Sequence, residues 1–406
     1  MAAVDIRANE SATYTGTEST YGTAATTARA TIVTGSFQPK LMQTELPVLK
    51  ESVYLHDNQT TVQGLKSDGS GCSYQTYACA RAAKLSASTV TLDVWEKMML
   101  ALCGGVTPAD GANVGDTNAG GTAAAPTVAS GTDFSAGQWC TWPVGSTTEP
   151  GRIASVAGTT INLNPGLSTS PDGGSAAVCH MVTFYPSDTN TSSVTVQHAK
   201  AGSSSEQYEF RGCTGNISLA MARNSEVTVG FDLQAASWSQ GALSFATTVG
   251  NDARGTPFAV VGAKTLLQAY GTATATNYHV EECSVDLKLG MSHIPSLSGT
   301  VEGTAGVMRT GERVAAEINL TVRMDTDWIT GWSAQTLYQF MIAVPSGTGT
   351  SKQWFVFHAP KCQIVGVPER DFGADGRVRY KLKLLPQIDT AGANAAMRAP
   401  WSLSIG

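Results

Sequence analysis

The sequence is short of charge. Only 14% of its 406 residues are Asp, Glu, Lys or Arg, whereas about a quarter is usual in soluble domains. The net charge is -6, and no run of four basic residues occurs. Because clustered Lys and Arg are needed to bind a phosphate backbone, this composition argues against a nucleic-acid binder. Low charge also weakens repulsion between copies of a chain, which favours a surface buried against other copies.

Motifs that carry chemistry are missing as well. No C-x-x-C pair, no H-E-x-x-H spacing and no G-x-S-x-G motif occurs, so the usual signals of a metal site or a nucleophile are absent. The stretch from Gly255 to Thr265 resembles a phosphate loop only faintly, because its glycines lie too far apart and Ala263 separates Gly262 from Lys264. We interpret it as a loop that enters a short helix. The sequence therefore predicts no enzyme and no catalytic, cofactor or metal residues.

Several groups have both a chemical and a structural interpretation. Asp325 and Asp327 could bind a metal, but acids at a helix start are the preferred interpretation. Glu281 and Glu282 are interpreted as a solvated strand end. The eight cysteines are scattered, which is typical of buried free thiols in a cytoplasmic protein.

The aromatic residues give one clear expectation and one open question. A cluster in the last third of the chain is expected to pack in a core of paired strands rather than to form a sugar or base platform. Its members are Trp354, Phe355, Phe357 and Tyr380. Trp139 and Trp142 are left open: one could lie in a core and the other at a carbohydrate-binding surface.

No targeting or membrane segment is visible. Met1 to Glu10 is polar and mixed in charge, and no apolar stretch reaches the length of a membrane span. We expect assembly in a cytoplasm and no membrane partner.

What the sequence does contain predicts a mainly β fold. It has 42 glycines and many Ser and Thr residues between short alternating segments, a mix that favours strands and tight turns. We divide the chain into an extended N-terminal arm over 1–34, a first domain over 35–121 and 192–270, a small inserted β-barrel-like module over 122–191, and a second domain over 271–406. The arm is poor in large apolar residues and is expected to order only against a neighbour.

Each domain is predicted to carry one flanking helix. Leu92, Trp95, Met99 and Leu102 share one face of the first predicted helix. Asp93 and Glu96 at its start resemble a capping box. In the second domain the predicted helical stripe, with Ser333 or Asp327 as its cap, consists of Leu337, Phe340, Met341 and Val344.

The two domains also repeat a pattern. Gln207–Phe210 stands where Gln353–Phe357 stands, and Val227–Leu233 stands where Val378–Leu384 stands. A repeat of this length indicates two copies of one domain.

From Gly311–Val314 through the second helix to Tyr380–Pro386, the order of elements resembles the major tail tube proteins of siphophages, the long-tailed bacteriophages. Glu18–Thr23 also resembles openings common in that family. The resemblance implies β-sandwich or short-barrel domains with a side helix, whose inner sheets join edge to edge into rings. The rings stack into a hollow tube, and members with two fused domains form trimers with pseudo-hexameric symmetry.

The resemblance further implies a virion location and partners that include further copies of the chain, a tape measure protein, and tail terminator and tip proteins. DNA would pass through the lumen without specific binding, past a wall that we expect to be neutral or negative. Two alternatives stay open: another virion structural protein, such as a tail terminator or decoration protein, and a carbohydrate-binding β-module protein.

Overall fold

A computed structural model describes residues 11–25, 29–31, 37–42, 45–47, 61–63, 69–81, 92, 94–107, 115–174, 176–200, 207–241, 254–271, 280–299, 301–310, 315–323, 327–372 and 376–406. The prediction of a mainly β fold is confirmed.

The strands are β1 (Ser11–Thr17), β2 (Arg29–Thr31), β3 (Gln38–Lys40), β4 (Glu45–Pro47), β5 (Thr61–Gln63), β6 (Gly71–Tyr77), β7 (Cys79–Arg81), β8 (Gly104–Thr107), β9 (Gly115–Gly121), β10 (Pro126–Val128), β11 (Trp139–Val144), β12 (Thr147–Ala157), β13 (Thr160–Leu163), β14 (Ala177–His180), β15 (Val182–Pro186), β16 (Val194–Lys200), β17 (Gln207–Ala222), β18 (Thr228–Gln234), β19 (Ser237–Gln240), β20 (Arg254–Pro257), β21 (Lys264–Ala269), β22 (Val280–Lys288), β23 (Met291–Pro295), β24 (Thr304–Arg309), β25 (Ala315–Arg323), β26 (Leu337–Ser346), β27 (Gln353–Ile364), β28 (Glu369–Phe372), β29 (Val378–Pro386) and β30 (Ser402–Ile405). The helices are α1 (Val94–Cys103), α2 (Trp328–Ser333) and α3 (Ala395–Arg398).

The front sheet is a broad antiparallel layer with the strand order β3–β6–β18–β17–β22–β25–β29–β28. Burial alternates along β22 and along parts of the other long strands, because successive side chains of a strand point to opposite faces. One face carries buried residues such as Phe231, Leu287 and Leu320, and the other carries polar residues.

The middle sheet has the order β21–β26–β27–β30–β15–β8 and packs on the apolar face of the front sheet. Phe340, Phe357 and Leu403 of the middle sheet share one core with the apolar residues of the front sheet. Trp95 of α1 is fully buried in the same core. The main body is therefore a β-sandwich with a helix beside it.

Six strands from β9 to β14 form a closed barrel. The barrel is inserted into the turn of the β8–β15 hairpin, where Thr107 pairs with Thr183. The observed barrel, Gly115–His180, differs from the predicted module over 122–191. The Gly-rich segment β9, which has the composition of a linker, pairs with β10 and β14, and β15 belongs to the middle sheet.

The barrel covers the outer face of the middle sheet. Trp139 and Met181 pack with Met341, Trp354 and Val356 in a separate buried cluster. The Trp354 indole Nε1 donates to the Thr148 carbonyl over 3.2 Å. The Gly-rich stretch before the module and the polar stretch after it have the composition of flexible links, whereas the module is docked through an apolar interface.

The predicted helix on Leu337, Phe340, Met341 and Val344 is wrong, because these residues lie in β26. Every residue from 338 to 344 is buried, since one face of β26 meets the core and the other meets the barrel. A fully buried strand reads as a continuous apolar run, from which a helical stripe can be selected by chance. The flanking helix is the earlier α2.

The loop around Gly262 also differs from expectation. It leads into strand β21 rather than into a short helix. Lys264 to Ala269 pair with Ala343 to Tyr338 of β26.

The predicted arm over 1–34 is partly built into the sheets of the same chain. Ser11–Thr17 pairs along its whole length with β16, and Arg29–Thr31 pairs with β1. Thr13 and Thr15 are each only 2% exposed, so small threonines serve as core-facing residues here. The rest of the predicted arm lies partly outside the described residues.

The two halves of the main body repeat one strand order. In the first half it is β1–β16–β17–β18–β6–β3, and in the second it is β21–β26–β27–β29–β25–β22, with every neighbouring pair antiparallel. A helix follows β6 and β7 in the first half and β25 in the second. Both halves of the main body therefore share one order of six strands.

Candidate assembly surface

The exposed side of the front sheet, here called the polar face, carries the outward residues of β6, β17, β18, β22, β25 and β29. In the first half of the body it is made of small uncharged residues apart from Asp232. In the second half it is densely charged. Its outward residues include Ser73, Gln75, Asn216, Ser218, Thr228, Asp232, Glu282, Ser284, Asp286, Lys288, Glu317, Asn319, Thr321, Arg323, Arg379, Lys381 and Lys383.

Basic residues on the polar face have acidic partners. Glu317 lies 2.9 Å from Lys383 and 3.5 Å from Lys288, and the hydrogen bond from Lys383 is the main reason why the pKa of Glu317 is lowered. Lys381 pairs with Asp371 at 3.3 Å.

The two arginines of this face share one partner. Arg323 and Arg379 both pair with Glu281, at 3.2 Å and 2.6 Å. The sequence-based interpretation of Glu281 as a solvated strand end is therefore wrong, since its side chain is only 18% exposed. Across the described residues, Glu282 and Asp286 have no ion pair. Their two negative charges offset the one excess positive charge at each of the two shared acids, and Lys40 pairs with Asp232 at 2.8 Å. The charges of the polar face are therefore balanced.

The two halves of the front sheet meet at a seam between β17 and β22. Ile217 to Ala222 of the first half pair with Leu287 to Glu282 of the second. The edge of β17 in the first half is therefore paired with β22, which is the first strand that the second half contributes to the front sheet.

The same two kinds of edge are left open at the ends of the front sheet. At one end β3 pairs with β6 and with no other strand that the structure describes, and its three residues are all exposed. At the other end β28 pairs with β29 and with no other described strand. Open edges present unpaired N–H and C=O groups that can pair with another chain.

Exposed apolar side chains accompany both edges. Leu41 and Met42 follow β3 and are 37% and 55% exposed, while Val367 and Phe372 flank β28 and are 61% and 73% exposed. Exposed apolar groups at two different edges are typical of a head-to-tail contact between copies.

The turn after β1 is held by the side chain of Glu18. The Glu18 carboxylate accepts from the amides of Gly22 and Gly212, both at 2.7 Å. It also accepts from the hydroxyls of Ser193 at 2.6 Å and Thr195 at 2.8 Å. Four donors on one carboxylate fix the turn that contains the Glu18–Thr23 motif.

The tryptophans that the sequence left open are both buried. Trp142 lies in the barrel core, and Trp139 lies between the barrel and the middle sheet. Both are 0% exposed, so neither contributes to an exposed carbohydrate platform. The cluster of Trp354, Phe355, Phe357 and Tyr380 is buried, as predicted.

The remaining candidates take structural roles. Asp327 caps α2, accepting from the amides of Ile329 and Thr330, which agrees with the helix-start interpretation; Asp325 and Asp93 lie outside the described residues. All eight cysteines are free and buried, and burial raises the pKa of the Cys103 thiol to about 12. Over the described ranges, no group of three or more His, Cys, Asp and Glu side chains could hold a metal ion.

No protein-family model matches this chain, and no curated protein matches it. None of the helices in the described part of the chain is long and apolar enough to cross a membrane.

Sequence reasoning missed the edges and the seam. Strand alternation indicated the polar and apolar faces, but which strand lies at an edge depends on pairings distant in the chain. The one available signal was the isolated apolar pair Leu41 and Met42, beside the short Gln-Pro-Lys segment that becomes β3.

Proposed function

We propose that this chain is a structural subunit that assembles head to tail into rings, and that the rings stack into the hollow tube of a viral tail. The observation that carries the proposal is the β17–β22 seam. It joins two halves of equal topology and leaves a matching pair of edges at β3 and β28.

The seam supplies a template for the contact between copies. Within the front sheet, β3 holds the position in the first half that β22 holds in the second, and β28 continues the edge that corresponds to the end of β17. Pairing β3 of one copy with β28 of the next would repeat the internal seam. A heterologous contact closes into a ring when its repeated rotation completes a full turn, and the closed ring has no open edges.

The order of the layers distinguishes the inner surface of the proposed ring from its outer surface. The polar face is bare, whereas the opposite side of the sandwich is covered by the barrel. A ring closed through the front sheet would turn the polar face to the lumen and carry the barrel on the outer surface. Because each chain supplies two repeats, three chains would complete a ring of six.

The charges of the polar face fit a channel for DNA. A wall of unpaired Lys and Arg would hold the duplex by counterion release. The sequence, with a net charge of -6 and no basic runs, predicts that basic residues lie mainly at subunit contacts and on the outer face. On this face they are present, but Lys288 and Lys383 share Glu317, and Glu281 serves both arginines. Such a wall would let the duplex slide.

The direct test is electron microscopy of the purified chain beside edge variants. Val367→Lys and Phe372→Lys place charge at the β28 edge without altering the core, and both should abolish rings and filaments. Val261→Lys is the matched control, because Val261 is as exposed as Val367, at 61%. Wild-type protein that stays monomeric under all conditions, or edge variants that assemble normally, would contradict the proposal.

A further inference from the structure

We propose that the turn at Tyr270 and Gly271 is a docking site for the β4–β5 hairpin of a second copy of this chain. The inference rests on the proposed self-assembly and adds a second contact to it. The chain already makes the corresponding contact inside itself.

The internal contact joins the turn after β1 to the β23–β24 hairpin. The Tyr21 hydroxyl lies 2.8 Å from the Thr304 hydroxyl, and the Tyr21 ring lies 6.3 Å from the His293 ring. A Cβ atom at Gly22 would stand only 2.4 Å from Val301. A hairpin of the second half therefore closes over a Tyr-Gly turn of the first half.

A second Tyr-Gly turn stands at the matching place in the other half. Tyr21-Gly22-Thr23 follows the end of β1 after three intervening residues, and Tyr270-Gly271-Thr272 follows the end of β21 directly. β1 pairs with β16 as β21 pairs with β26. Both glycines adopt the left-handed conformation, with φ of 68° and 82°, which favours glycine.

Only the first of the two turns is covered. Among the described residues, a Cβ atom at Gly271 would meet nothing within 4 Å, and Tyr270 is 38% exposed. Tyr270 is nevertheless held in place, since its hydroxyl donates to Asp389 over 2.9 Å and Lys361 lies 5.7 Å from its ring centre. An oriented, exposed aromatic residue is a typical anchor of a protein interface.

The occupant is identified by its place in the repeat. The β23–β24 hairpin stands between β22 and β25, and the β4–β5 hairpin stands between their counterparts β3 and β6. The registers also match: Pro295 pairs with Thr304, and Pro47 pairs with Thr61. Thr61 thus holds the position of Thr304, the residue that contacts Tyr21.

The two proposed contacts are continuous. In the internal arrangement, β22 lies on β17 and the hairpin that follows β22 lies on the turn at Tyr21. If β3 of the next copy lies on β28, the hairpin that follows β3 is carried toward Tyr270. One segment of the incoming copy would fill both sites.

The test is a photo-crosslink from position 270. p-Benzoyl-phenylalanine replaces Tyr270, and assembled particles and dilute monomers are irradiated and mapped by mass spectrometry. We expect crosslinks to residues 45–63 of another copy in assemblies and none between copies in monomers. The same probe at Val261 is the control. Crosslinks to another segment, crosslinks to residues 45–63 within one chain, or none in assemblies would overturn the inference.

A second measurement uses the two tyrosines as a matched pair. Tyr270→Ala should leave the melting temperature of the monomer unchanged and raise the concentration needed for assembly by roughly tenfold, as loss of one interface anchor does. Tyr21→Ala should lower the melting temperature. If Tyr270→Ala assembles like the wild type, this inference fails alone; if the wild type never assembles, the proposed function fails with it.

Discussion

Glu18 shows how one side chain can organise a loop. Its carboxylate accepts from two backbone amides and two hydroxyls, and hydrogen bonds to a charged group are worth more than neutral ones. We expect Glu18→Ala to lower the free energy of unfolding by about 2–3 kcal/mol, measured by urea denaturation. Glu226→Ala, at an exposed position, should change it by less than about 0.5 kcal/mol. Equal effects of the two changes would refute the role assigned to Glu18.

His358 gives the barrel interface a dependence on pH. It is fully buried between the Trp139 ring at 5.4 Å and the Gln339 amide at 2.9 Å. Burial and then the charge of Arg152 hold its pKa well below the ordinary value of 6.5. The unfolded chain therefore takes up a proton that the native state resists, and stability falls as pH drops below about 6.5.

We predict that His358→Gln removes the part of this loss that falls between pH 6.5 and about 5, where carboxylates begin to titrate. Denaturation at a series of pH values measures it. His198→Gln is the control, because His198 lies outside the barrel interface and bonds Thr13. A His358→Gln profile that matches the wild type over this window would contradict the assignment.

Glu317 tests the proposed passage of DNA along the polar face, because it pairs with two lysines. Glu317→Gln releases Lys288 and Lys383, so assemblies should bind duplex DNA with a salt slope steeper by up to ~2. Asp286→Asn is the control, because Asp286 is the cross-strand neighbour of Glu317 and its loss also removes one negative charge but frees no lysine. Retention of labelled DNA at several salt concentrations distinguishes them. Equal binding by the two variants would count against a wall neutralised by pairing.

At the scale of elements, the sequence pattern indicates strands that have one solvent-exposed face. Val227–Leu233 alternates and forms β18 within one residue of the prediction. Leu337–Val344 is wrongly predicted as a helix, because the barrel covers the second face of β26 and no feature of the local sequence indicates that contact. Trp139 posed the same difficulty, since its burial depends on Met341 and Trp354 some two hundred residues away.

The insertion in the β8–β15 hairpin predicts how the barrel can be removed. The sequence predicts that the module over 122–191 lies on the outside of the tube and is dispensable for assembly. A deletion that joins Gly121 to Ser192 would, however, also remove β15. Replacing 108–181 with Thr-Asn-Gly keeps the ladder that begins at Thr107 and Thr183 and closes it with a turn suited to hairpins.

We expect that deletion alone to aggregate, because it uncovers Met341, Trp354 and Val356. Changing these three residues to Thr as well should restore a soluble, folded protein that still forms rings. Circular dichroism and electron microscopy check the two outcomes. A folded triple-Thr deletion variant that forms no rings would mean that the barrel belongs to the assembly surface.

At the scale of the whole molecule, the fold is a two-repeat sandwich with open edges and different faces. The internal seam pairs the edge of β17 with the edge of β22. Among the described strands, the corresponding edges at β28 and β3 remain free. Val367 and Phe372 are exposed and do not pack in the core of the chain, whereas a neighbouring copy would cover them. Repeat, edges and apolar groups thus favour the same head-to-tail arrangement.

A cryo-electron microscopy reconstruction of the assembled protein tests this account most directly. We predict a hollow tube with three chains per ring, in which the polar face, with Ser218 and Asn319, is turned toward the axis and the barrel lies outside. We also predict that β3 of each chain pairs with β28 of the next. A ring of six whole chains would contradict the role of the repeat. A tube with the barrel in the lumen, or with the polar face on its outer surface, would contradict the central claim.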